Sequence, residues 1–171
     1  RQSICYPSNK VCISYINSEE IMIALKAIRK AYNFFFNIGY HDKYFLEIVF
    51  QKEVMVENCN GDLIRVYGKL GKDDHIYLTD CKEVWLAEHN SFGLKMSKDF
   101  YESIIIHEVA HFIAEKIAGC KIEITNSEYI ADVVQLSQMK PSLRQAILSR
   151  FPLLAFKTEE INLDVMLFNP T

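Results

Sequence analysis

The sequence lacks a long apolar run, a basic stripe and any repeated or low-complexity segment. A membrane-spanning helix needs about 18 to 20 apolar residues, and the longest candidates, AYNFFFNIGY and SIIIHEVAHFIA, are interrupted by polar groups. The formal net charge is −3, with lysines and arginines scattered, so the composition favours neither nucleic acid nor an anionic membrane as partner. The 171 residues have ordinary globular composition and are most simply one domain, 1–171.

Cysteines are present, but none forms a CxxC pair, which disfavours a thiolate zinc knuckle or a thioredoxin-like motif. Cys5 and Cys12 flank the turn-like YPSN and are candidates for a disulfide. Cys59 and Cys81 are a second candidate pair, which leaves Cys120 over. The chain begins without methionine, which fits a removed signal peptide or a trimmed start. These features favour an exported protein, periplasmic or secreted; the alternative is a cytosolic protein with five free thiols.

Hydrophobic periodicity and turn residues predict an α+β fold in two parts. Strands are expected over 11–16, 43–57, 63–70 and 75–80, and helices from Asn17 or Ser18 to Gly39 and over 98–118, 126–138 and 141–150. The tail, 158–171, is expected to add a last short element. The prediction is a small, mostly antiparallel sheet with an N-terminal helix, followed by a helical half, with the chemistry where the halves meet.

The segment 103–119 contains HEVAH, an H-E-x-x-H pattern inside an otherwise apolar helix. His107 and His111 lie one turn apart, so both imidazoles can point a nitrogen at one zinc ion. Glu108 lies about 100° round the helix, where it misses the metal and can reach a water on it. Buried polar groups without partners are destabilising by about 1–3 kcal/mol each, so these side chains need partners. A metal-free core helix with a chance match is the alternative.

A catalytic zinc site needs a third protein ligand. TNSEYIADVVQ, downstream of HEVAH, places Glu128 and Asp132 four residues apart. Together these motifs resemble the gluzincins, which include the thermolysin-like peptidases, over about residues 100–138. The resemblance implies Zn²⁺ held by His107, His111 and Glu128, with Asp132 supporting a ligating histidine. The chain is also similar to small exported bacterial proteins assigned as peptidases.

Glu128 has a second interpretation, because Thr125-x-x-Glu128 matches a capping box that would only secure a helix start. Glu123 is then the next candidate for the third ligand. The metzincin pattern does not fit, since Ala114 and Ile117 stand where that family has glycine and histidine.

The gluzincin resemblance implies a zinc-dependent metallopeptidase that acts on a peptide or protein substrate. Glu108 would be the general base, taking a proton from a zinc-activated water and passing it to the leaving amine. The strand 75–80 is expected at the sheet edge, pairing with an extended substrate. The candidate oxyanion donors are Arg144, Arg150, Tyr101, Tyr129, His75 and His89, none of them a histidine or tyrosine after Asp132. The alternative function is a non-catalytic zinc-binding module on the same scaffold.

Overall fold

The computed structural model describes residues 1–58, 60–86 and 92–150. The strands are β1 (Gln2–Tyr6), β2 (Val11–Tyr15), β3 (Leu46–Gln51), β4 (Val54–Glu57), β5 (Leu63–Val66), β6 (Gly68–Leu70) and β7 (His75–Thr79). The α-helices are α1 (Ser18–Asn37), α2 (Cys81–Leu86), α3 (Lys98–Ala118), α4 (Ile124–Gln138) and α5 (Pro141–Arg150). The predicted α+β class is confirmed, and the tail predicted at 158–171 lies outside the described residues.

Five strands form one mixed sheet in the order β1-β2-β3-β7-β6, and β4 and β5 form a separate hairpin. The sequence predicted a mostly antiparallel sheet; the outer pairings, β1 with β2 and β6 with β7, are antiparallel, as is the β4–β5 hairpin. The two central pairings, β2 with β3 and β3 with β7, are parallel. Parallel neighbours need a crossover, which α1 supplies between β2 and β3. A short strand at 2–6, which the sequence did not predict, adds the outer edge.

One face of the sheet carries the core. A row of aliphatic side chains crosses all five strands in register: Ile4, Ile13, Ile48, Ile76 and Leu70. The helices α1 and α3 pack on this face and complete one hydrophobic cluster with the strands. The apolar side of α3 is therefore the side that packs against the sheet and α1.

The histidine helix α3 has the bounds that the sequence predicted, 98–118. The Ser97 side chain accepts a hydrogen bond from the Phe100 N–H at 3.2 Å, which caps the helix start. Gly119 follows the last turn with φ +66°, a left-handed conformation that favours glycine and ends the helix. No α-helix in the described ranges is long and apolar enough to span a membrane.

The first predicted disulfide is confirmed: Cys5 and Cys12 are bonded across β1 and β2, where they are directly opposite each other. Cys81 carries a free, buried thiol, so the predicted bridge to Cys59 is wrong at this end, and Cys59 lies outside the described residues. Burial raises the pKa of the Cys81 thiol to about 12, which keeps it protonated. Cys120 is free and exposed.

Candidate metal centre

The side of α3 that carries His107 and His111 faces α4. Ser127, Ala131 and Gln135 form the buried side of α4. The Gln135 side-chain amide donates to the Ser103 hydroxyl at 3.2 Å, one turn before the first histidine of α3. The two histidines of α3 therefore face the helix that carries the candidate third ligand.

Potential ligand atoms of three residues converge between α3 and α4. His107 Nε2 is 3.0 Å from His111 Nε2 and 3.2 Å from Glu128 Oε2, and His111 Nε2 is 3.5 Å from Glu128 Oε1. Ligand atoms in a tetrahedral site with bonds of about 2.0–2.1 Å lie about 3.3–3.4 Å from each other. The spacing in this cluster is therefore close to that of three ligands on one tetrahedral ion, and the cluster could hold a metal.

The outer ring nitrogens of the two histidines have partners of the kind that orient metal ligands. His111 Nδ1 is 2.7 Å from the Ser127 hydroxyl. His107 Nδ1 is 3.3 Å from Asp132 Oδ1, although the contact is not aligned as a hydrogen bond and this nitrogen has no other partner among the described residues. With protons on both Nδ1 atoms, both Nε2 lone pairs point into the cluster beside a carboxylate. A cation is the group that this donor set fits.

The electrostatics of the cluster favour positive charge. Burial disfavours the charged form of His107, but the nearby carboxylates of Asp132 and Glu128 outweigh it and raise the pKa of His107 to about 10. Burial alone would raise the pKa of Glu128, but the two histidines hold this pKa well below its ordinary value. A proton on His107 therefore competes with a metal ion for the same place, as it does at metal sites generally.

Glu108 lies outside the ligand cluster, between α3 and β6, and only 8% of it is exposed. Burial raises the pKa of its carboxyl, while His107 and His111 lower it and the Leu70 backbone N–H lowers it further. Gly68 is what lets β6 approach so closely: a Cβ there would lie 2.8 Å from Glu108 Cγ and 3.2 Å from Glu108 Oε1. The predicted base is thus buried against the end of the sheet.

The strand beside the candidate site is β6, which is an edge of the five-stranded sheet. The sequence placed the edge at 75–80, which is wrong, because β7 lies between β3 and β6. The Tyr67 carbonyl and the Gly71 N–H bond to β7, so by alternation the backbone groups of Gly68 and Leu70 point away from it. These outward groups lie next to Glu108.

The capping-box interpretation of Glu128 is wrong. The helix α4 begins at Ile124, and its N-cap is Glu123, whose carboxylate accepts a hydrogen bond from the Asn126 N–H at 3.2 Å. Thr125 is therefore already inside the helix, and Glu123 serves the helix start instead of the ligand cluster. Glu128 is left free to face the two histidines.

A protein-family model matches residues 14–171, and its description is DUF6639, a family of unknown function. The chain belongs to the DUF6639 family. No curated protein and no solved structure matches it. Membership in DUF6639 carries no activity with it, so function has to be argued from the site.

The candidate oxyanion donors of this DUF6639 chain are mostly engaged away from the cluster. Their observed partners are the Thr79 carbonyl for Tyr101, Glu47 for His75, the Leu136 carbonyl for Arg144 and the Gly93 carbonyl for Arg150. Tyr129, next to Glu128 on α4, is exposed, and His89 lies outside the described residues. Among the described candidates, only Tyr129 is both adjacent to a ligand and open to solvent.

Two residues of the site were not predicted from the sequence. Ser127 contacts His111, and its only sequence signal is a small polar residue directly before a candidate ligand. Gly68 admits Glu108 against β6, and its signal is a glycine inside a strand, which often marks a close backbone approach.

Proposed function

We propose that this DUF6639 protein is a zinc-dependent metallopeptidase of the gluzincin type. The observation that carries the proposal is the convergence of His107, His111 and Glu128 at 3.0–3.5 Å with a buried glutamate next to them. Two imidazoles and one carboxylate are the ligand set of catalytic zinc in thermolysin-like enzymes, which leaves a position for water. A purely structural zinc site has a closed set of four protein ligands, and no fourth ligand joins this cluster in the described residues.

Bound zinc would supply Lewis acidity, polarising a carbonyl and lowering the pKa of a water to about 7. Glu108 would take the proton of that water and later transfer it to the leaving amine. Its burial supports this role, because a carboxyl with a raised pKa is a better proton carrier near neutral pH. Ser127 and Asp132 would hold the two imidazoles in the orientation that ligation needs.

The edge strand β6 offers a place for an extended peptide. Among the backbone groups of β6 that do not pair with β7, the Leu70 N–H donates to the Glu108 carboxylate, and those of Gly68 lie beside it. A substrate strand added at this edge would run past the base and the ligand cluster. We also propose that the protein works outside the cytosol, which the Cys5–Cys12 disulfide supports.

The test of this function is hydrolysis by the zinc-loaded protein. A library of peptides would be incubated with the protein, and new termini would be identified by mass spectrometry. Cleavage that stops with a chelator and returns with added zinc supports the proposal. Zinc bound without cleavage of any peptide would instead support the non-catalytic binding module.

Replacing Glu128 with alanine is expected to weaken zinc binding by more than about 100-fold, since even outer partners of a ligand contribute about 10- to 100-fold. The matched control is Glu123→Ala, which removes a nearby carboxylate that caps the same helix. Elemental analysis and competition with a chromophoric chelator would compare the two variants. If Glu128→Ala kept its zinc and Glu123→Ala lost it, the third ligand would be Glu123 and not Glu128.

Replacing Gly68 with alanine is expected to lower hydrolysis at least about tenfold with zinc binding unchanged. The added Cβ would be 2.8 Å from Glu108 Cγ and 3.0 Å from Leu78 Cδ2, so the base must shift. Lys69→Ala is the control, because that side chain lies on the same strand but reaches the Met55 carbonyl. If Gly68→Ala lowered zinc affinity as much as turnover, Gly68 would act on the ligands and not on the base.

A further inference from the structure

The C-terminal end of α1 and the segment after it carry several exposed apolar side chains, which we call the aromatic corner. It consists of Phe36, Ile38, Tyr40 and Phe45, each between 49% and 58% exposed. Large hydrophobic side chains on a surface are ordinary when scattered singly, but four within ten residues form a cluster. The cluster lies apart in sequence from every residue of the candidate metal centre.

Contacts within the segment after α1 fix its path. The Tyr40 N–H donates to the Phe35 carbonyl at 3.0 Å, which folds the chain back onto the end of α1. The His41 ring contacts the Phe36 ring, with centroids 4.4 Å apart. The Tyr44 backbone is held by the hydroxyl of Tyr32 at 3.3–3.4 Å. The segment that carries the aromatic corner is therefore folded against α1.

Three positive side chains lie near the aromatic corner, one of them in the same segment and two joined to it by a hydrogen bond or a shared groove. Lys10, at the tip of the turn between β1 and β2, reaches the Lys43 carbonyl at 2.9 Å, which joins two exposed lysines in one place. Arg29 and Lys43 line the same groove beside α1. None of these three cations has an ion-pair partner within the parts of the chain that the structure describes. Asp42 is the acidic residue of the loop.

We propose that the aromatic corner docks on an anionic lipid surface. Aromatic and aliphatic side chains enter the boundary between headgroups and acyl chains, while neighbouring lysines and arginines attract anionic lipid. The net charge of −3 does not oppose this, because charges farther away than about 8–10 Å are screened at physiological salt. Unpaired cations near apolar side chains favour an anionic lipid over a second copy of this chain, whose identical cations would repel them.

The experiment measures co-sedimentation of the full chain with lipid vesicles. One set of vesicles is phosphatidylcholine alone, and the other also contains about 30% phosphatidylglycerol, an anionic lipid. We expect binding to the anionic vesicles, at least about tenfold weaker binding to the neutral ones, and release by high salt. The double substitutions Phe36→Ser with Ile38→Ser and Lys10→Glu with Lys43→Glu should each reduce binding at least about tenfold.

The matched control is Leu63→Ser with Ile64→Ser, which removes exposed apolar side chains from the β4–β5 hairpin. It should bind vesicles like the parent chain. Absence of vesicle binding, or equal loss in the hairpin control, would overturn the proposal. Concentration-dependent self-association in analytical ultracentrifugation that Phe36→Ser with Ile38→Ser abolishes, without vesicle binding, would identify the surface as a contact between copies.

Discussion

Glu108→Gln is expected to lower peptide hydrolysis by about 10²- to 10⁴-fold while the chain keeps its zinc. Glutamine has the shape of glutamate but cannot accept the proton of a water at neutral pH. The ligand atoms come from His107, His111 and Glu128, so the substitution leaves the donor set intact. Steady-state cleavage of a peptide found in the library, together with zinc content by elemental analysis, would measure the two effects separately.

The control for this substitution is Glu115→Gln, which changes a glutamate two turns later on the same helix, where it pairs with Lys121 at 2.6 Å. It is expected to keep both zinc and turnover. If Glu108→Gln cleaved as fast as the parent chain, Glu108 would not be the base. If it lost zinc together with activity, Glu108 would have to be counted among the groups that hold the metal.

Glu20→Leu is expected to lower the free energy of unfolding by about 3–5 kcal/mol, because it removes the acceptor of four hydrogen bonds in the core. The carboxylate of Glu20 is fully buried. It accepts from the backbone N–H groups of Ile16 at 2.7 Å, Asn17 at 3.2 Å and Cys81 at 3.2 Å, and from the Asn17 side-chain amide at 2.8 Å. It therefore joins the end of β2, the start of α1 and the start of α2.

Urea unfolding followed by circular dichroism would measure the loss. Glu20→Gln should fall between Glu20→Leu and the parent, because the amide keeps one acceptor oxygen. The neighbouring Glu19→Ala removes a surface ion pair with Lys98 and is expected to change stability by no more than about 1 kcal/mol. Equal stability of Glu20→Leu and Glu19→Ala would mean that the buried N–H groups find other acceptors.

The four longer helices were predictable because their signals are local, whereas the short α2 was not predicted. The predicted bounds of α3, 98–118, are those of the structure, and the predicted Gly39 follows the end of α1 with φ +101°. The order of the strands could not be predicted in the same way, because strand pairing joins residues that are far apart in sequence. The segment 63–70 resembles one return strand, yet the chain divides it at Tyr67, pairing one part with β4 and the other with β7.

The ligand cluster was also predictable, since all three residues lie within 22 positions on two adjacent helices and have a recognisable spacing. The residues packed against Glu108 could not be predicted from the sequence. Gly68 meets it only because β6 is the edge of the sheet, and that depends on the whole strand order. The contact of Ser127 with His111 depends on the rotation of α4, which the buried Gln135 and Ser103 pair helps to set.

The ligands and the base lie on the same pair of helices, but the residues packed against the base come from the sheet. Every candidate ligand belongs to the helical hairpin of α3 and α4, whereas the surroundings of Glu108 depend on β6. Under the proposed function, metal binding and peptide hydrolysis could therefore be lost independently. A family member that kept the two helices but had a bulkier residue in place of Gly68 would be expected to bind metal with its base displaced. The residue at position 68 would then be a better marker of the proposed activity than the three ligands are.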